Sequence, residues 1–218
     1  GFQPELICAH PGWGEALFLR DVWPKARLLC YQEFYYHARG VDLDFDPELQ
    51  GDLSWEDCAR LRLKNANPLL MLDAADWNVT PTAFQRSTFP KEFQPRITAI
   101  HDGIDTELAC PDPEAAPLQL PDGTTLCAGE PTVTFVNRRI EPYRGCHTFL
   151  RAVPEILRRH PRARLVVVGA TDGVSYGKAA PGDSWRDVFL NEIEGEFDPA
   201  RLHFTGPLPY DAFLQLLK

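Results

Sequence analysis

Two arginines in one short loop are candidates for binding a phosphorylated ligand. Arg139 and Arg144 lie in segment 137–145, between an apolar strand pattern and an amphipathic helix pattern. Guanidinium groups bind phosphate oxygens through paired hydrogen bonds, and the first amides of a helix add further donors. Gly145 leaves room for a phosphate at that helix start. The alternative is ordinary surface charge, in which Glu141 ties one arginine into an exposed ion pair worth about 1 kcal/mol or less.

A second candidate loop follows the first apolar strand pattern and reads His-Pro-Gly-Trp-Gly-Glu at residues 10–15. Ligands of open parallel sheets bind beyond the carboxyl ends of the strands, which is where this loop must lie. Gly12 and Gly14 let a ligand approach the backbone, and a helix beginning at Glu15 favours an anionic group. His10 can exchange a proton near neutral pH. The same residues support equally a turn whose histidine only caps a helix.

The sequence also contains a literal G-x-S-x-G motif at residues 173–177. A hydrolase interpretation makes Ser175 the nucleophile and His203, further downstream, its base. That motif requires a sharp turn that joins a strand directly to a helix. Here Lys-Ala-Ala-Pro-Gly-Asp follows at residues 178–183 in place of a helix pattern, so we expect Ser175 to lie in an irregular loop. A serine hydrolase is therefore the alternative from a different class of enzyme.

Alternating strand and helix patterns must position these loops. Short apolar runs predict strands at residues 5–9, 27–31, 77–80, 97–100, 132–137, 164–169 and 202–204. Amphipathic stretches predict helices at residues 15–23, 55–74, 83–89, 146–159, 185–194 and 211–217. Ser54 with Asp57 and Ser184 with Asp187 predict N-terminal caps for two of these helices. The alternation predicts an α/β fold with parallel sheets that carry helices on both faces.

One stretch of the chain lacks this periodicity. Residues 110–131 contain five prolines together with small and acidic residues. We therefore expect residues 105–130 to be a linker between two α/β units, with a short hairpin around Asp122 and Gly123. The sequence begins on a strand pattern and stops inside a helix pattern, which leads us to expect an internal piece of a longer protein.

The composition excludes several classes of protein. The chain has 218 residues, a net charge of −9 and 44% apolar residues, as in a folded globular protein rather than a disordered one. No apolar run approaches the roughly 20 residues that span a bilayer. A general nucleic-acid binder needs a basic face, but the basic residues cluster only in segment 137–164, where eight arginines and two acidic residues occur. Such a local cluster suits a small anionic ligand.

The six cysteines occur singly, with no C-x-x-C pair. Metal sites usually contain close ligand pairs, and small disulfide scaffolds have a higher cysteine density. Cys8 and Cys30 lie in apolar strand patterns, where a buried, reduced thiol is the ordinary case. The cysteine pattern predicts a reducing compartment and no metal site.

Six motifs, taken in order, resemble a known family. They are His-Pro-Gly-Trp-Gly-Glu at 10–15, Tyr-Gln-Glu-Phe-Tyr-Tyr at 31–36, His-Asp-Gly-Ile-Asp at 101–105, Arg-Ile-Glu-Pro-Tyr-Arg-Gly at 139–145, Leu-Val-Val-Val-Gly at 165–169 and Phe-Thr-Gly at 204–206. As an ordered set they resemble a bacterial group 1 glycosyltransferase of family 4, the large retaining group with the GT-B fold. The resemblance implies two Rossmann-like parallel-sheet units, both incomplete in this chain. Residues 1–104 would be the second half of an acceptor-side domain, 105–130 the linker, and 131–218 the first half of a donor-binding domain.

The resemblance also assigns roles to individual residues. Arg139 and Arg144, followed by Gly145, fall where the family binds the donor diphosphate with a basic pair, usually Arg and Lys. Arg144 in place of Lys departs from that pattern and keeps the charge. His10 falls near the histidine that faces the reacting sugar and is the implied catalytic residue. The implied acceptor-side loop residues are Gly12, Gly14 and Glu15, and the implied donor pocket residues are Gly169, Gly206, Pro207 and Leu208.

The implied activity is transfer of a sugar from a nucleotide-sugar donor to an acceptor hydroxyl with retention, a hexosyltransferase reaction of the kind used in polysaccharide biosynthesis. The nucleotide sugar is a substrate, and the resemblance implies no further cofactor and no metal. The implied partners are this donor and a sugar or lipid-linked acceptor, and no nucleic acid. The resemblance implies a cytoplasmic location without a transmembrane segment, and it allows peripheral contact of the full-length protein with a membrane. The family's two-glutamate donor motif would follow Lys218, so we expect this segment alone to be inactive. A non-catalytic nucleotide-sugar binding module is a further alternative.

Overall fold

The chain folds into two compact units, each built around a parallel sheet. The computed structural model describes residues 1–50 and 52–218. The first unit is Gly1–Gly103 and the second is Ile104–Lys218. Strands alternate with helices in both units, which confirms the predicted α/β class. Among the described residues, no helix combines the length and the apolar character needed to cross a bilayer.

The first unit contains a four-stranded parallel sheet in the order β1-β2-β3-β4. Its strands are β1 (Leu6–Ala9), β2 (Arg27–Tyr31), β3 (Trp77–Thr80) and β4 (Ile97–Ala99). The predicted strands agree with these to within one residue at either end. Because all four strands run in the same direction, the segments that follow them lie at one edge of the sheet.

The helices of this unit are α1 (Leu19–Val22), α2 (Pro47–Gln50), α3 (Trp55–Lys64), α4 (Ala66–Ala74) and α5 (Ala83–Thr88). Ser54 and Asp57 form the predicted capping box at the start of α3. The prediction of one helix over residues 55–74 is wrong, because Asn65 ends α3 and begins α4. The Asn65 side chain bonds both the backbone N–H and the backbone C=O of Tyr36.

Helix α1 is much shorter than the predicted helix over residues 15–23. The Leu19 N–H donates to the Ala16 carbonyl, so the preceding residues form tight turns rather than helix. Gly14 adopts a left-handed φ of 91°, which L-residues with side chains rarely adopt. The expectation of a helix start at Glu15 is therefore wrong, and the connection after β1 is a longer loop.

Apolar side chains from the helices pack on the first sheet. Cys30 on β2 is fully buried, as predicted, in a cluster with Leu28 and Met71. Cys8 is exposed, which corrects the prediction of a buried thiol. Strand β1 is an edge strand whose residues alternate between exposed and half-buried, and Cys8 lies on its exposed face.

The second unit begins with a short antiparallel hairpin of β5 (Leu118–Gln119) and β6 (Thr125–Leu126). Its turn contains Asp122 and Gly123, which confirms the predicted hairpin. The hairpin packs on the main sheet of this unit, in a buried cluster of Leu120, Leu126, Val166 and Val168. Residues 105–130 thus contribute apolar side chains to the core of the second unit, while their role as an interdomain linker stays a prediction.

The main sheet of the second unit has three parallel strands in the order β7-β8-β9. They are β7 (Thr132–Arg139), β8 (Arg164–Ala170) and β9 (Leu202–Gly206). Each starts at the predicted residue and extends one or two residues beyond the predicted end. Arg139, Ala170 and Gly206 therefore mark the carboxyl edge of the sheet.

The helices of the second unit are α6 (Cys146–Arg159), α7 (Trp185–Glu192) and α8 (Tyr210–Leu217). Helix α6 has the predicted bounds, because its buried residues Leu150, Val153 and Leu157 recur on one face. The Ser184 side chain accepts from the Asp187 N–H and caps α7, as predicted. Helix α6 follows the carboxyl end of β7 and so begins at the edge marked by Arg139.

Candidate functional site

Arg139 is the last residue of β7 and lies at the carboxyl edge of the second sheet. Its guanidinium donates to the backbone carbonyl of Asp172 and lies 3.5 Å from the Asp172 carboxylate. The Asp172 side chain is 89% exposed, whereas that of Arg139 is 32% exposed. The exposed Asp172 carboxylate therefore pairs with the Arg139 guanidinium, which could otherwise bind a phosphate.

Arg144 ends a short 3-10 turn, Pro142–Arg144, immediately before α6. Its Nε donates to Glu141 Oε1 at 3.0 Å, and its guanidinium carbon lies 5.4 Å from the centroid of the Tyr176 ring. The side chain is 27% exposed. Two contacts thus fix the arginine, while part of its side chain still reaches solvent.

Glu141 is completely buried, which corrects the expectation of an exposed ion pair between it and an arginine. Its second oxygen, Oε2, accepts hydrogen bonds from the backbone N–H groups of Ser175 at 2.5 Å and Tyr176 at 3.3 Å. These partners lie 34 and 35 residues away in the sequence. Sequence reasoning missed the burial because it depends on that distant segment.

Gly145 joins the Arg144 turn to α6 in a left-handed conformation with φ of 77°. A side chain at this position would meet no atom within 4 Å, so the space beside the helix start is open. The conformation itself calls for glycine, whether or not a ligand is bound. Arg144 and Gly145 lie in the connection between β7 and α6, as the sequence predicted, whereas the prediction is wrong for Arg139, because β7 continues to that residue.

The other predicted donor pocket residues lie at the carboxyl ends of β8 and β9: Gly169 is within β8, Gly206 ends β9, and Pro207 and Leu208 follow it. A Cβ atom at Gly169 would overlap the carbonyl oxygen of Asn137, so glycine allows β7 and β8 to approach each other. Gly206 has a left-handed φ of 67° and open space around it. Pro207 is exposed, and Leu208 packs against the hairpin cluster. Their part in donor binding stays a prediction.

His10 lies in the loop after β1, at the carboxyl edge of the first sheet. Its Nε2 is 3.2 Å from Glu33 Oε2, and its Nδ1 accepts from the Gly12 N–H at 3.3 Å. This pairing assigns the proton of neutral His10 to Nε2, because a carboxylate only accepts. The ring also stacks on Tyr31, with centroids 6.0 Å apart. The alternative that His10 caps a helix is wrong, since α1 begins only at Leu19.

Gly12 and Gly14 of this loop are each required for a different structural reason. A Cβ atom at Gly12 would lie 2.7 Å from Cε1 of His10, so glycine lets the ring fold back over the loop. Gly14 is held in the left-handed conformation described above. The Glu15 carboxylate lies 3.9 Å from Nδ1 of His10, further away than the Glu33 carboxylate.

Sequence reasoning assigned no role to several side chains around His10. The Tyr31 hydroxyl donates to both carboxylate oxygens of Asp102, at 3.0 and 3.1 Å. Desolvation, followed by this hydrogen bond and the nearby negative charges, raises the pKa of Tyr31. A small cleft beside His10 is also lined by Trp13, which is 83% exposed, and by Tyr36, whose ring lies 3.6 Å from the Lys64 ammonium. Trp13, Tyr36 and Asp102 each follow a parallel strand, and this position is the sequence feature from which their closeness to His10 could have been predicted.

Ser175 lies in an irregular connection between β8 and α7, as expected. No helix follows it directly, since α7 begins at Trp185. His203, the base of the hydrolase alternative, is buried on β9, and its Nδ1 lies 2.7 Å from Asp122 Oδ2 in the hairpin. This geometry does not favour a nucleophile elbow. Across residues 1–50 and 52–218, no group of three His, Cys, Asp or Glu side chains could hold a metal ion.

Comparison with solved structures shows the same α/β fold at low sequence identity. The apo structure of OtsA has a TM-score of 0.58 and 14% identity, over 98% of this chain and 50% of OtsA. TarM has a TM-score of 0.51 and 12% identity, over 95% of this chain and 34% of TarM. The alpha,alpha-trehalose 6-phosphate synthase from Burkholderia multivorans has a TM-score of 0.50 and 13% identity, over 97% and 48%. The chain thus spans between a third and a half of these proteins.

These likenesses confirm Rossmann-like parallel-sheet units of the GT-B type. No curated protein matches the chain. A family model described as the glycosyl transferase family 4 group matches residues 1–109, which is half of the sequence and includes the His10 loop. The chain belongs to the glycosyl transferase family 4 group.

Proposed function

We propose that this chain is part of a retaining, nucleotide-sugar-dependent glycosyltransferase whose second unit binds the donor diphosphate. The observation that carries the proposal is the carboxyl end of β7 and the connection that follows it, where Arg139 ends the strand and Arg144 immediately precedes the open helix start at Gly145. Membership of the glycosyl transferase family 4 group supports the reaction class.

The two arginines would stabilise charge that develops on the leaving diphosphate as the glycosidic bond to the donor breaks. Two guanidiniums supply several donors aimed at phosphate oxygens, and the amides at the start of α6 supply more. Gly206 ends β9, and Pro207 and Leu208 follow it at the same edge of the sheet, which suits contacts to the nucleoside. No step of this proposal requires a metal.

The first unit would present the acceptor hydroxyl of a sugar or lipid-linked molecule. His10 would face the reacting sugar, and Gly12, Gly14 and Glu15 would border the acceptor. The ring of His10 is held by Glu33, Gly12 and Tyr31, which supports a fixed orientation. We further propose that the transferred sugar is a hexose and that the reaction retains its anomeric configuration.

Calorimetric titration with UDP, GDP and ADP tests the donor site. We expect Arg144→Ala to weaken binding of the preferred nucleotide by about tenfold or more, because charge-assisted hydrogen bonds are lost. Arg158→Ala is the control. Arg158 also lies on α6, but its side chain is exposed and pairs with Glu155 on the helix surface. Equal affinities of the two variants would contradict the diphosphate site.

Product analysis separates the reaction classes. Incubation of the full-length protein, of which this chain is proposed to be a part, with a nucleotide sugar and an acceptor should release the nucleoside diphosphate, and NMR of the new glycoside should show the anomeric configuration of the donor. Nucleotide binding without transfer under any acceptor condition indicates the non-catalytic binding module. Covalent labelling of Ser175 by a fluorophosphonate indicates the serine hydrolase instead.

A further inference from the structure

A buried carboxylate connects two separate segments of the second unit. Glu141 has no exposed side-chain surface, and its two oxygens accept from Arg144 on one side and from the amides of Ser175 and Tyr176 on the other. Burial of a charge is unfavourable unless hydrogen bonds satisfy it, so these three bonds hold the carboxylate in place. Glu141 thereby ties Arg144 to the loop between β8 and α7.

This loop, residues 172–177, is here named the serine loop. It contacts both candidate arginines: Arg139 bonds Asp172, and the Arg144 guanidinium lies over the Tyr176 ring. Gly177 lets the loop pack closely, because a Cβ atom there would lie 2.8 Å from the ring of Tyr143. The two glycines of the G-x-S-x-G pattern are thus explained by close packing, Gly177 against Tyr143 and Gly173 beside Arg139, rather than by a nucleophile.

We propose that Glu141 is a positioning residue of the diphosphate site, which fixes Arg144 and the serine loop together. The inference rests on the proposed function. Glu141 binds the Nε of Arg144, and this leaves the two terminal Nη groups of the guanidinium for phosphate oxygens. The backbone N–H of Tyr176 donates to Glu141, and this bond holds the residue in place. The Tyr176 ring covers one face of the Arg144 guanidinium and limits its orientations.

The same geometry explains why position 144 carries arginine. An arginine can bond a carboxylate through Nε and a phosphate through its Nη groups at once, since its five N–H donors point in different directions. The single ammonium of a lysine is a compact charge and cannot span both partners in this way. A Lys at position 144 would therefore be pulled towards Glu141 or towards the ligand.

A double-mutant cycle measures this coupling. The variants Glu141→Gln, Arg144→Lys and the double variant are titrated with inorganic pyrophosphate and with UDP, GDP and ADP. Each single substitution should weaken diphosphate binding by about tenfold, and the second substitution should add little to the first, because both remove the same arrangement. Uridine, guanosine and adenosine, which lack phosphates, should bind all variants equally.

The control is Glu155→Gln. Glu155 also pairs with an arginine three residues away, Arg158, but on the exposed surface of α6. This substitution removes the same charge and should leave diphosphate affinity unchanged. Additive losses in the cycle, or equal losses for Glu155→Gln and Glu141→Gln, would overturn the proposal. Arg144→Lys keeps the buried carboxylate and so remains informative if Glu141→Gln does not fold.

Hydrogen exchange supplies a second measurement that needs no ligand. In the unaltered chain the Ser175 and Tyr176 amides should be protected, and Glu141→Gln should raise their exchange rates by about tenfold, because the charged acceptor is lost. Unchanged rates would overturn the role of Glu141. If Arg144→Ala weakens nucleotide binding while Glu141→Gln does not, the proposed function stands and this inference fails. If no diphosphate binds the unaltered chain, both fail.

Discussion

At the scale of single residues, the two candidate arginines differ in how firmly they are held. Arg144 bonds a carboxylate with no solvent exposure, whereas Arg139 pairs with Asp172, whose side chain is almost fully exposed. Exposed ion pairs contribute about 0–1 kcal/mol, while a buried carboxylate that loses its partner is costly. A ligand would therefore displace Asp172 from Arg139 easily and leave the pairing of Arg144 with Glu141 intact.

We expect Asp172→Asn to strengthen diphosphate binding by about two- to fivefold, because a competing negative charge beside Arg139 is removed. Calorimetric titration with the preferred nucleoside diphosphate measures the change. Asp183→Asn, which removes an exposed carboxylate from the same connection between β8 and α7, is the control and should have a smaller effect. Weaker binding by Asp172→Asn would show that Asp172 helps the ligand rather than competing with it.

At the scale of elements, the close approach of β7 and β8 depends on one glycine. The space for a Cβ atom at Gly169 is filled by backbone of Asn137, and the φ of Gly169 is 142°. The backbone of Asn137 cannot move aside for a Cβ atom as easily as a flexible side chain could. The junction therefore sets where the end of β7, and with it Arg139, lies relative to β8.

Gly169→Ala should destabilise the chain by about 2–3 kcal/mol, since overlap with backbone adds to conformational strain. Chemical denaturation monitored by circular dichroism measures the loss. Gly182→Ala is the control, because Gly182 has open space around it and should change stability by less than about 1 kcal/mol. Equal stability of the two variants would show that the strands separate at no cost.

A second element-scale contact ties α1 to the sheet of the first unit. Asp76 Oδ2 accepts from Arg20 at 2.8 Å and from the Leu28 N–H at 2.8 Å. The hydrogen bond from Arg20, then that from Leu28, lowers the pKa of Asp76 from 3.8 to about 2. Because the folded pKa lies below the unfolded one, the stabilisation is present above about pH 4 and is lost as the pH falls towards 2.

We therefore expect Asp76→Asn to flatten the dependence of the unfolding free energy on pH between about 4 and 2. Denaturant titrations at several pH values measure this slope. Asp73→Asn removes an exposed carboxylate from α4 and serves as the control. The expectation is wrong if Asp76→Asn and the unaltered chain lose stability equally over that range.

The elements were predictable where the local pattern agrees with the packing. Strand β2 and helix α6 have the predicted bounds, because their apolar spacing matches a buried face. The late start of α1 and the break between α3 and α4 were not predicted, because they depend on the backbone conformation at Gly14 and on the bonds of Asn65 to Tyr36. The connections that carry His10 and Arg144 were placed correctly, since both follow parallel strands.

The partners within the candidate site were less predictable than its position. Glu141 looks like a surface residue in the sequence, and its burial requires the serine loop to fold against it. The Tyr31–Asp102 pair joins residues 71 positions apart. No local pattern reports such contacts, because they form only when the ends of separate strands meet at one edge of a sheet.

At the scale of the whole chain, each unit has an apolar core of its own. Cys30 lies in the core of the first unit and Cys146 at the buried start of α6 in the second. Burial raises the pKa of Cys30 to about 11 and that of Cys146 to about 12. Since the thiolate is the reactive form, both thiols should be inert at pH 8 in the folded chain. The exposed cysteines are Cys8, Cys110 and Cys127.

Cys30 and Cys146 should therefore report the folding of the two units separately. Leu72→Ala and Leu165→Ala each remove a fully buried side chain, the first from one unit and the second from the other, and each should destabilise its unit by about 2–5 kcal/mol. In a denaturant series with a short pulse of a thiol reagent, read by mass spectrometry, Leu72→Ala should lower the denaturant concentration at which Cys30 reacts and leave Cys146 unchanged. Leu165→Ala should do the reverse, because a core protects only the thiol packed within it. Equal shifts of both thiols with either variant would show that the units unfold as one.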